Sequence, residues 1–227
     1  MWAIVKKDFK MLFYSPIGYI VLSIYLFIFG IIIYLMTLSN RSVDFNIAYN
    51  YMAWYGLPII TAVLAMRSFS EEKHKGTEHL LFSTGKRTIS VVVGKWIAVS
   101  SVSIVATIIS MFYCVLFMQY GSVDFRLLGV TLFGFTLLIF AYTSFGVLIS
   151  SLTESQVISS IITLIFLLLP VFFSYGNGVF SYLSLISFFA KFAIGIISIK
   201  SIIVLISFSI ACIILTALEI DRKRMLD

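Results

Sequence analysis

Residues 127–149 read LLGVTLFGFTLLIFAYTSFGVLI and contain no charged side chain. At about 1.5 Å of rise per residue, a helix of this length crosses the ~30 Å hydrocarbon core of a bilayer. Of the 227 residues, 61% are hydrophobic and only 11% are charged, whereas soluble domains are about half apolar and a quarter charged. We therefore predict an all-α, polytopic membrane protein with a single membrane domain, residues 1–227.

Six transmembrane helices are predicted when the same criterion is applied outward from this segment. The second carries Pro58 near its centre, which predicts a kink because proline lacks the N–H of one backbone hydrogen bond. Residues 175–200 begin with a turn signal and are interrupted by Lys191. We expect them to form an external re-entrant element before the last helix, with a full span over 179–199 as the alternative. The six spans are 17–38, 48–66, 94–118, 127–149, 157–173 and 201–218.

Residues 1–15 precede the first span and alternate basic with apolar side chains at helical spacing. Such a pattern is typical of an amphipathic helix that lies in the membrane interface. The residues that define it are Lys6, Lys7, Phe9 and Lys10.

The distribution of basic residues predicts the orientation. In the six-span arrangement, all but four of the 16 Lys and Arg residues lie on the side that holds both termini. Cytoplasmic loops carry an excess of Lys and Arg, so we expect both termini in the cytoplasm of a bacterial-type cell (plasma) membrane. The four exceptions are Arg41, Arg126, Lys191 and Lys200.

Several chemical functions are disfavoured by the residues present. Gly129 and Gly134 have the spacing of a phosphate-binding loop, but Phe135 stands where that loop needs lysine. His74 and His79 lie in a charged loop and read as solvated residues rather than metal ligands. We therefore expect no catalytic residues, metal or cofactor on this chain. The net charge of +6 is explained by topology, so no nucleic-acid partner is expected.

The most charged stretch, residues 67–92, is predicted to be a cytoplasmic loop. Ser70 and the charged residues after it predict a capped helical extension of the second span, and Gly76 ends it. Thr77 then begins a second short helix, which would carry three large apolar side chains. An exposed helix of this kind usually docks on another surface, with the membrane interface as the alternative. The three apolar residues are Leu80, Leu81 and Phe82.

The run EKHKGTEHLLFST at residues 72–84, followed by VVGK at 92–95, resembles the first cytoplasmic loop of type-2 ABC exporter permeases. In that family a Glu, a Gly-Thr, a Leu-Leu and a Gly-Lys that opens the third span recur at this spacing. The start Ser15-Pro16-Ile17 is similar to the gliding-motility and nitrous-oxide-reductase-maturation branch. The resemblance covers nearly all of the chain, and Gly85 departs from it where the family often has proline.

The resemblance implies the membrane subunit of an ATP-driven ABC exporter. It implies a second permease subunit, the same or homologous, and two copies of a separate ABC ATPase that would hold ATP and Mg. The short loop helix and the amino-terminal helix would dock into the ATPase and transmit its closure to the spans. The implied coupling contacts are Glu71, Glu72, Lys73, Gly76, Thr77, Glu78, Leu80, Leu81 and Phe82.

The family analogy also places the second and fifth spans along the translocation path. Their aromatic side chains would offer an apolar surface to an amphipathic or hydrophobic substrate such as a peptide, lipid or drug, although such residues are also common interface anchors in contact with membrane lipid. Two other functions are open: an ATP-independent secondary carrier or channel, and a non-transporting membrane scaffold subunit. The possible path residues are Tyr51, Trp54, Tyr55, Phe166, Phe172 and Phe173.

Overall fold

The fold is built from helices, with no β-strand in the part of the chain that the structure describes. The computed structural model describes residues 2–14, 16–40, 44–74, 76, 88–117, 124–173 and 184–226. In chain order the helices are α1 (Trp2–Tyr14), α2 (Pro16–Asn40), α3 (Phe45–Tyr51), α4 (Leu57–Ala65), α5 (Ser70–His74), α6 (Thr88–Leu116), α7 (Phe125–Leu152), α8 (Gln156–Phe173), α9 (Leu185–Ala193) and α10 (Ile199–Leu226).

Five helical segments in the described part are long and apolar enough to cross a membrane. They correspond to the first, second, third, fourth and last predicted spans. The fifth predicted span coincides with α8, whose apolar segment Gln156–Leu169 is shorter. The all-helical, multi-pass prediction is therefore confirmed, and the sixth span stays a prediction. The five segments are Gly18–Met36, Phe45–Lys73, Thr88–Leu116, Phe125–Leu152 and Ile199–Arg224.

The helices extend beyond the uncharged windows that predicted them. The third span begins at Thr88 rather than 94, so the predicted loop 67–92 is shorter at its carboxyl end. The last span continues to Leu226, past the expected end at 218. Charged side chains show where the bilayer ends, but they do not stop a helix, because Lys, Arg and Glu are good helix formers in water.

The second span changes its helix type just before Pro58, and the kink predicted from Pro58 stays a prediction. Five residues before α4, Met52–Gly56, form a π-helical segment, and the N–H of Leu57 donates to the carbonyl of Met52. Pro58 has no N–H for the carbonyl of Trp54, and the wider turn accommodates that missing bond. Such single π turns within α-helices are uncommon and often mark functional positions.

Aromatic rings fill the centre of the bundle and join four helices. The ring of Tyr49 lies 4.9 Å from that of Phe29 and 5.4 Å from that of Phe135, and Phe135 lies 5.8 Å from Phe189. The hydroxyls of Tyr49 and Ser110 share a hydrogen bond of 2.9 Å. A buried tyrosine needs a partner for its polar tip, so this bond fixes α3 against α6.

The segment before the last span is a short helix followed by a non-helical connection. α9 has 9 residues, far fewer than the ~20 that a transmembrane helix requires. One face, which includes Phe189 and Phe192, is buried, and Gly134 of α7 lies directly against Phe192. This helix alone does not cross a bilayer. The re-entrant path of 175–200 stays a prediction, since residues 174–183 lie outside the described residues.

Candidate functional site

The predicted coupling loop begins with a short helix, α5, at the end of the second span. Its charged residues Glu71, Glu72 and Lys73 are half-buried rather than solvated. The helix ends at His74, and Gly76 has φ of +65°, a left-handed conformation that glycine adopts without strain. The remaining predicted coupling contacts, Thr77, Glu78, Leu80, Leu81 and Phe82, lie outside the described residues.

A buried lysine connects this helix to two others. The Nζ atom of Lys95 lies 2.8 Å from Oε2 of Glu72 and 3.7 Å from Oδ2 of Asp8. It also donates a 2.6 Å hydrogen bond to the carbonyl of Ser68 and lies 4.8 Å from the centre of the Phe69 ring. Lys95 is on α6, Asp8 on α1 and Glu72 on α5. One ammonium group therefore joins the amino-terminal helix, the third span and α5.

Because these charges are buried, the contact stabilises the fold only while all three charged side chains are present. The side chain of Lys95 is 2% exposed, and those of Asp8 and Glu72 are 7% and 12% exposed. Removing charges from water carries a large free-energy penalty, which pairing offsets only if no member is missing. Lys7 also lies 3.6 Å from Glu72, but its side chain is 61% exposed, so solvent weakens that pair.

Burial raises the pKa of the Asp8 carboxyl above its ordinary value of 3.8, although Lys95 and Lys7 lower it. The neighbouring carboxylate of Glu72 adds to the rise. A cavity of about 20 Å³ adjoins Asp8 and Lys95, which is space for about one water molecule. Asp8 therefore takes up a proton more readily than an exposed aspartate, and this cavity is too small for a transported substrate.

A second junction joins α5 to the fourth span through Ser150. Its Oγ accepts hydrogen bonds from the backbone N–H groups of Phe69, at 2.9 Å, and Ser70, at 3.1 Å. The hydroxyl of Ser70 donates back to the Ser150 carbonyl at 3.1 Å, and Lys73 Nζ donates to the carbonyl of Ser151. The first N–H groups of a helix lack intrahelical partners. Here a side chain of α7 supplies one.

The carboxyl end of α10 reaches the same end of the bundle. The hydroxyl of Thr88, at the start of α6, donates to Oδ1 of Asp221. Lys223 Nζ lies 3.4 Å from the Ser151 carbonyl that Lys73 also contacts. Helix α5, the amino-terminal helix and the ends of three spans thus meet in one contact region.

The helix predicted over residues 1–15 is observed as α1. Lys6, Lys7 and Lys10 are exposed along it, and Phe9 is half-buried with its ring 4.4 Å from that of Phe13. Asp8 lies on the opposite, buried side. The position of α1 at a membrane interface stays a prediction.

The aromatic residues predicted to line a path lie mainly on the outer surface of the bundle. Tyr51, Tyr55 and Phe166 are exposed, and Trp54 is half-buried. The ring of Phe166 stacks on that of Phe145 at 4.2 Å. The described members therefore lie on the outside of the bundle rather than in an enclosed pocket. Phe172 and Phe173 belong to α8, but their side chains lie outside what the structure describes.

Sequence reasoning did not single out Asp8 or Ser150 as site residues, and it named Lys95 only as part of a family motif. Two of them carry a signal: Asp8 is the only acidic residue among residues 1–15, and Lys95 is the only charged residue among residues 88–117. An isolated charged residue within an apolar stretch is a candidate for a buried ion pair, because charged side chains are rarely buried without a partner. Ser150 carries no such signal, because serines are frequent in this chain and its role depends on where Phe69 lies.

The comparison with known families agrees with this architecture. The profile described as ABC-2 family transporter protein matches residues 2–190, which include α1, both junctions and most of α9. No curated protein matches the chain. Permeases of this family are membrane transport subunits and normally work with an ABC ATPase. The chain belongs to the ABC-2 family of transporter proteins.

Proposed function

We propose that this chain is the membrane-spanning permease subunit of an ATP-driven exporter, with its energy supplied by a separate ATPase. The observation that carries the proposal is the pair of junctions at α5. Glu72 pairs with Lys95, which also pairs with Asp8, and Ser70 is hydrogen-bonded to Ser150. The segment that enters the predicted coupling loop is thus attached to three other helices.

These attachments make α5 suitable for transmitting a displacement. Movement of a helix whose contacts are exposed and few is absorbed by local rearrangement. Separating Glu72 from Lys95 instead leaves a buried charge without its partner, which is strongly unfavourable. A force on α5 therefore moves α1, α6 and the end of α7 with it. Packed elements of this kind shift between discrete arrangements rather than deform continuously.

The ATPase contact surface of the proposal combines the coupling loop with the exposed side of α1. Two ATPase copies, which would hold ATP and Mg, and a second permease subunit complete the assembly. Both termini would be cytoplasmic in a bacterial-type cell membrane, which the shared location of Lys73, Lys95 and Lys223 at one end supports. The proposal also assigns the chain to the gliding-motility and nitrous-oxide-reductase-maturation branch, which its amino-terminal sequence resembles.

An amphipathic or hydrophobic substrate, such as a peptide, lipid or drug, suits the spans. Lys95, the one charged residue of α6, is near the start of that helix and is paired. The exposed aromatic side chains of Tyr51, Tyr55 and Phe166 offer apolar contacts to such a substrate. An ionic substrate would need polar groups near the centre of the bilayer.

The proposal is tested by co-expressing the chain with a candidate ABC ATPase from the same genome and measuring association and export in proteoliposomes. Replacing Leu80, Leu81 and Phe82 together by Asp should abolish both, because the charges oppose docking of an apolar helix. The matched control replaces them by Met, Met and Leu, which keeps the surface apolar. Unchanged association and export in the Asp variant would contradict the coupling role. Transport that persists without any ATPase and collapses with an uncoupler would indicate a carrier instead.

A further inference from the structure

The connection between α9 and α10 exposes a group of isoleucines at the end of the bundle opposite the Lys95 junction. Their exposed fractions run from 57% to 72%, although a non-helical connection would ordinarily present polar side chains to water. The four residues are Ile194, Ile196, Ile197 and Ile199.

The backbone of this connection forms a Schellman motif. Gly195 has φ of +84°, its N–H donates to the Phe192 carbonyl at 2.9 Å, and the N–H of Ile196 donates to the Lys191 carbonyl at 2.9 Å. In this motif the residue at the position of Ile196 often packs back on an apolar residue of the last turn. Here the facing residue of that turn is Lys191, and Ile196 is 57% exposed. More than half of the Ile196 side chain therefore stays uncovered by such a contact.

The connection packs closely on α7. Gly195 lies against Leu127 at the start of α7, where an added Cβ would come within 2.6 Å of Leu127 Cδ1. Phe192, just before the turn, is fully buried against Gly134. The connection is therefore seated on α7, and its apolar side chains extend away from the bundle.

Basic residues surround this apolar group. Lys191 and Lys200 flank it in sequence and are exposed, and exposed Arg126 precedes the Leu127 that Gly195 contacts. Among the described residues, none of these three has an ion-pair partner. They are three of the four basic residues that the sequence places on this side of the membrane.

We propose that residues 191–200 form a lipid anchor that binds an anionic phospholipid. The isoleucines enter the acyl-chain region, and Lys191, Lys200 and Arg126 bind the phosphate groups above them. Apolar side chains flanked by cations match the boundary between acyl chains and phosphates, where long basic side chains keep their charge in the headgroup layer. This anchor does not depend on the proposed ATPase coupling.

A second copy of the chain is a poorer occupant of the same surface. A two-fold symmetric contact brings the same patch of each protomer together. That arrangement would place three cations of one copy against three of the other, with no described acidic residue paired to them. An anionic lipid supplies the missing negative charge.

The anchor is tested with a fluorophore attached at Ile197→Cys, in a background in which buried Cys114 and Cys212 are replaced by Ala. The protein is placed in phosphatidylcholine nanodiscs that contain brominated phosphatidylglycerol or brominated phosphatidylcholine at equal fractions. We expect quenching by brominated lipid rather than by aqueous iodide, with a roughly tenfold preference for phosphatidylglycerol. Replacing Lys191 and Lys200 by Ala should remove the preference and leave quenching by both lipids.

The matched control, Arg222→Ala with Arg224→Ala at the opposite end of α10, should keep the preference. Quenching by iodide would show an aqueous loop, and the absence of quenching by either agent would show a protein contact. Each of these results would overturn the anchor. A phosphatidylglycerol preference that survives in the Lys191→Ala, Lys200→Ala variant, or is lost equally in the control, would overturn the role of the lysines.

Discussion

Lys95 holds two buried carboxylates with one ammonium group, so we expect Lys95→Met to destabilise the protein strongly. Methionine keeps the shape of the stem, but Glu72 and Asp8 lose their cation. Breaking a buried pair in this way costs about 3–5 kcal/mol. The melting midpoint in detergent should fall well below that of Lys10→Met, which removes an exposed lysine of α1.

A compensated variant separates lost charge balance from lost packing. Lys95→Met combined with Glu72→Gln and Asp8→Asn carries no buried charge at these three positions, and we expect it to recover much of the lost melting midpoint. Equal midpoints for Lys95→Met and Lys10→Met would show that the junction contributes little to stability.

Asp8 should make stability depend on pH in an unusual direction. Burial raises the pKa of its carboxyl above 3.8 in the folded protein, with Lys7, Glu72 and Lys95 facing it. The folded state then binds the proton more tightly than the unfolded state, so the contribution of Asp8 is fully present below the unfolded pKa. It is lost as pH rises through the raised folded pKa.

The measurement is the difference in melting midpoint between the natural protein and Asp8→Asn across a pH series. Because asparagine does not titrate, the comparison isolates Asp8 from the other carboxylates. The natural protein should lose stability relative to Asp8→Asn as pH rises from about 4 towards neutral. An opposite trend would mean that attraction by Lys95 outweighs burial.

At the scale of elements, Ser150 connects the end of α7 to the start of α5. Ser150→Ala leaves the N–H groups of Phe69 and Ser70 without their acceptor, and an unsatisfied buried donor costs about 1–3 kcal/mol. Hydrogen exchange at these two amides should therefore become faster. Ser209→Ala is the control, since its hydroxyl donates at 2.8 Å to Leu205 within its own helix. Equal exchange in both variants would exclude the junction.

Helix packing is tested by two glycines on α7. A methyl group at Gly134 would overlap Phe192 of α9, whereas a methyl group at Gly129 meets nothing within 4 Å. Gly134→Ala should lower stability by about 1–3 kcal/mol through overpacking. Gly129→Ala should leave it unchanged or raise it by up to about 1 kcal/mol, because alanine favours helix. The reverse order of melting midpoints would contradict the described packing of α9 on α7.

The spans themselves were predictable, but their local geometry was less so. Uncharged windows located five described spans, because bilayer thickness sets a minimum apolar length. Pro58 indicated a disturbance in the second span, yet the choice of a π turn over a simple kink depends on hydrogen bonds that composition does not encode. The helical start at Thr88 was missed for a related reason, since its continuation depends on contacts with Asp221.

At the scale of the whole molecule, the sequence predicts a charged loop but not the contacts that its described residues make with other helices. The concentration of charge in residues 67–92 identified the loop, and Glu72 was named within it. Its partners Asp8 and Lys95 are distant in sequence and meet only when α1 packs on α6. The contacts of Ser150 are harder still to predict from the sequence, because they are hydrogen bonds to backbone groups, whose positions depend on the path of the chain.

The central claim is that α5 transmits ATPase motion to the spans through its junctions. The most direct test is the number of substrate molecules exported per ATP hydrolysed in proteoliposomes that contain the chain and its ATPase. Ser150→Ala should keep ATPase association but lower this ratio several-fold, whereas Ser209→Ala keeps it. The account would be contradicted if Ser150→Ala exported as many substrate molecules per ATP as the natural protein while hydrogen exchange showed that its junction is open.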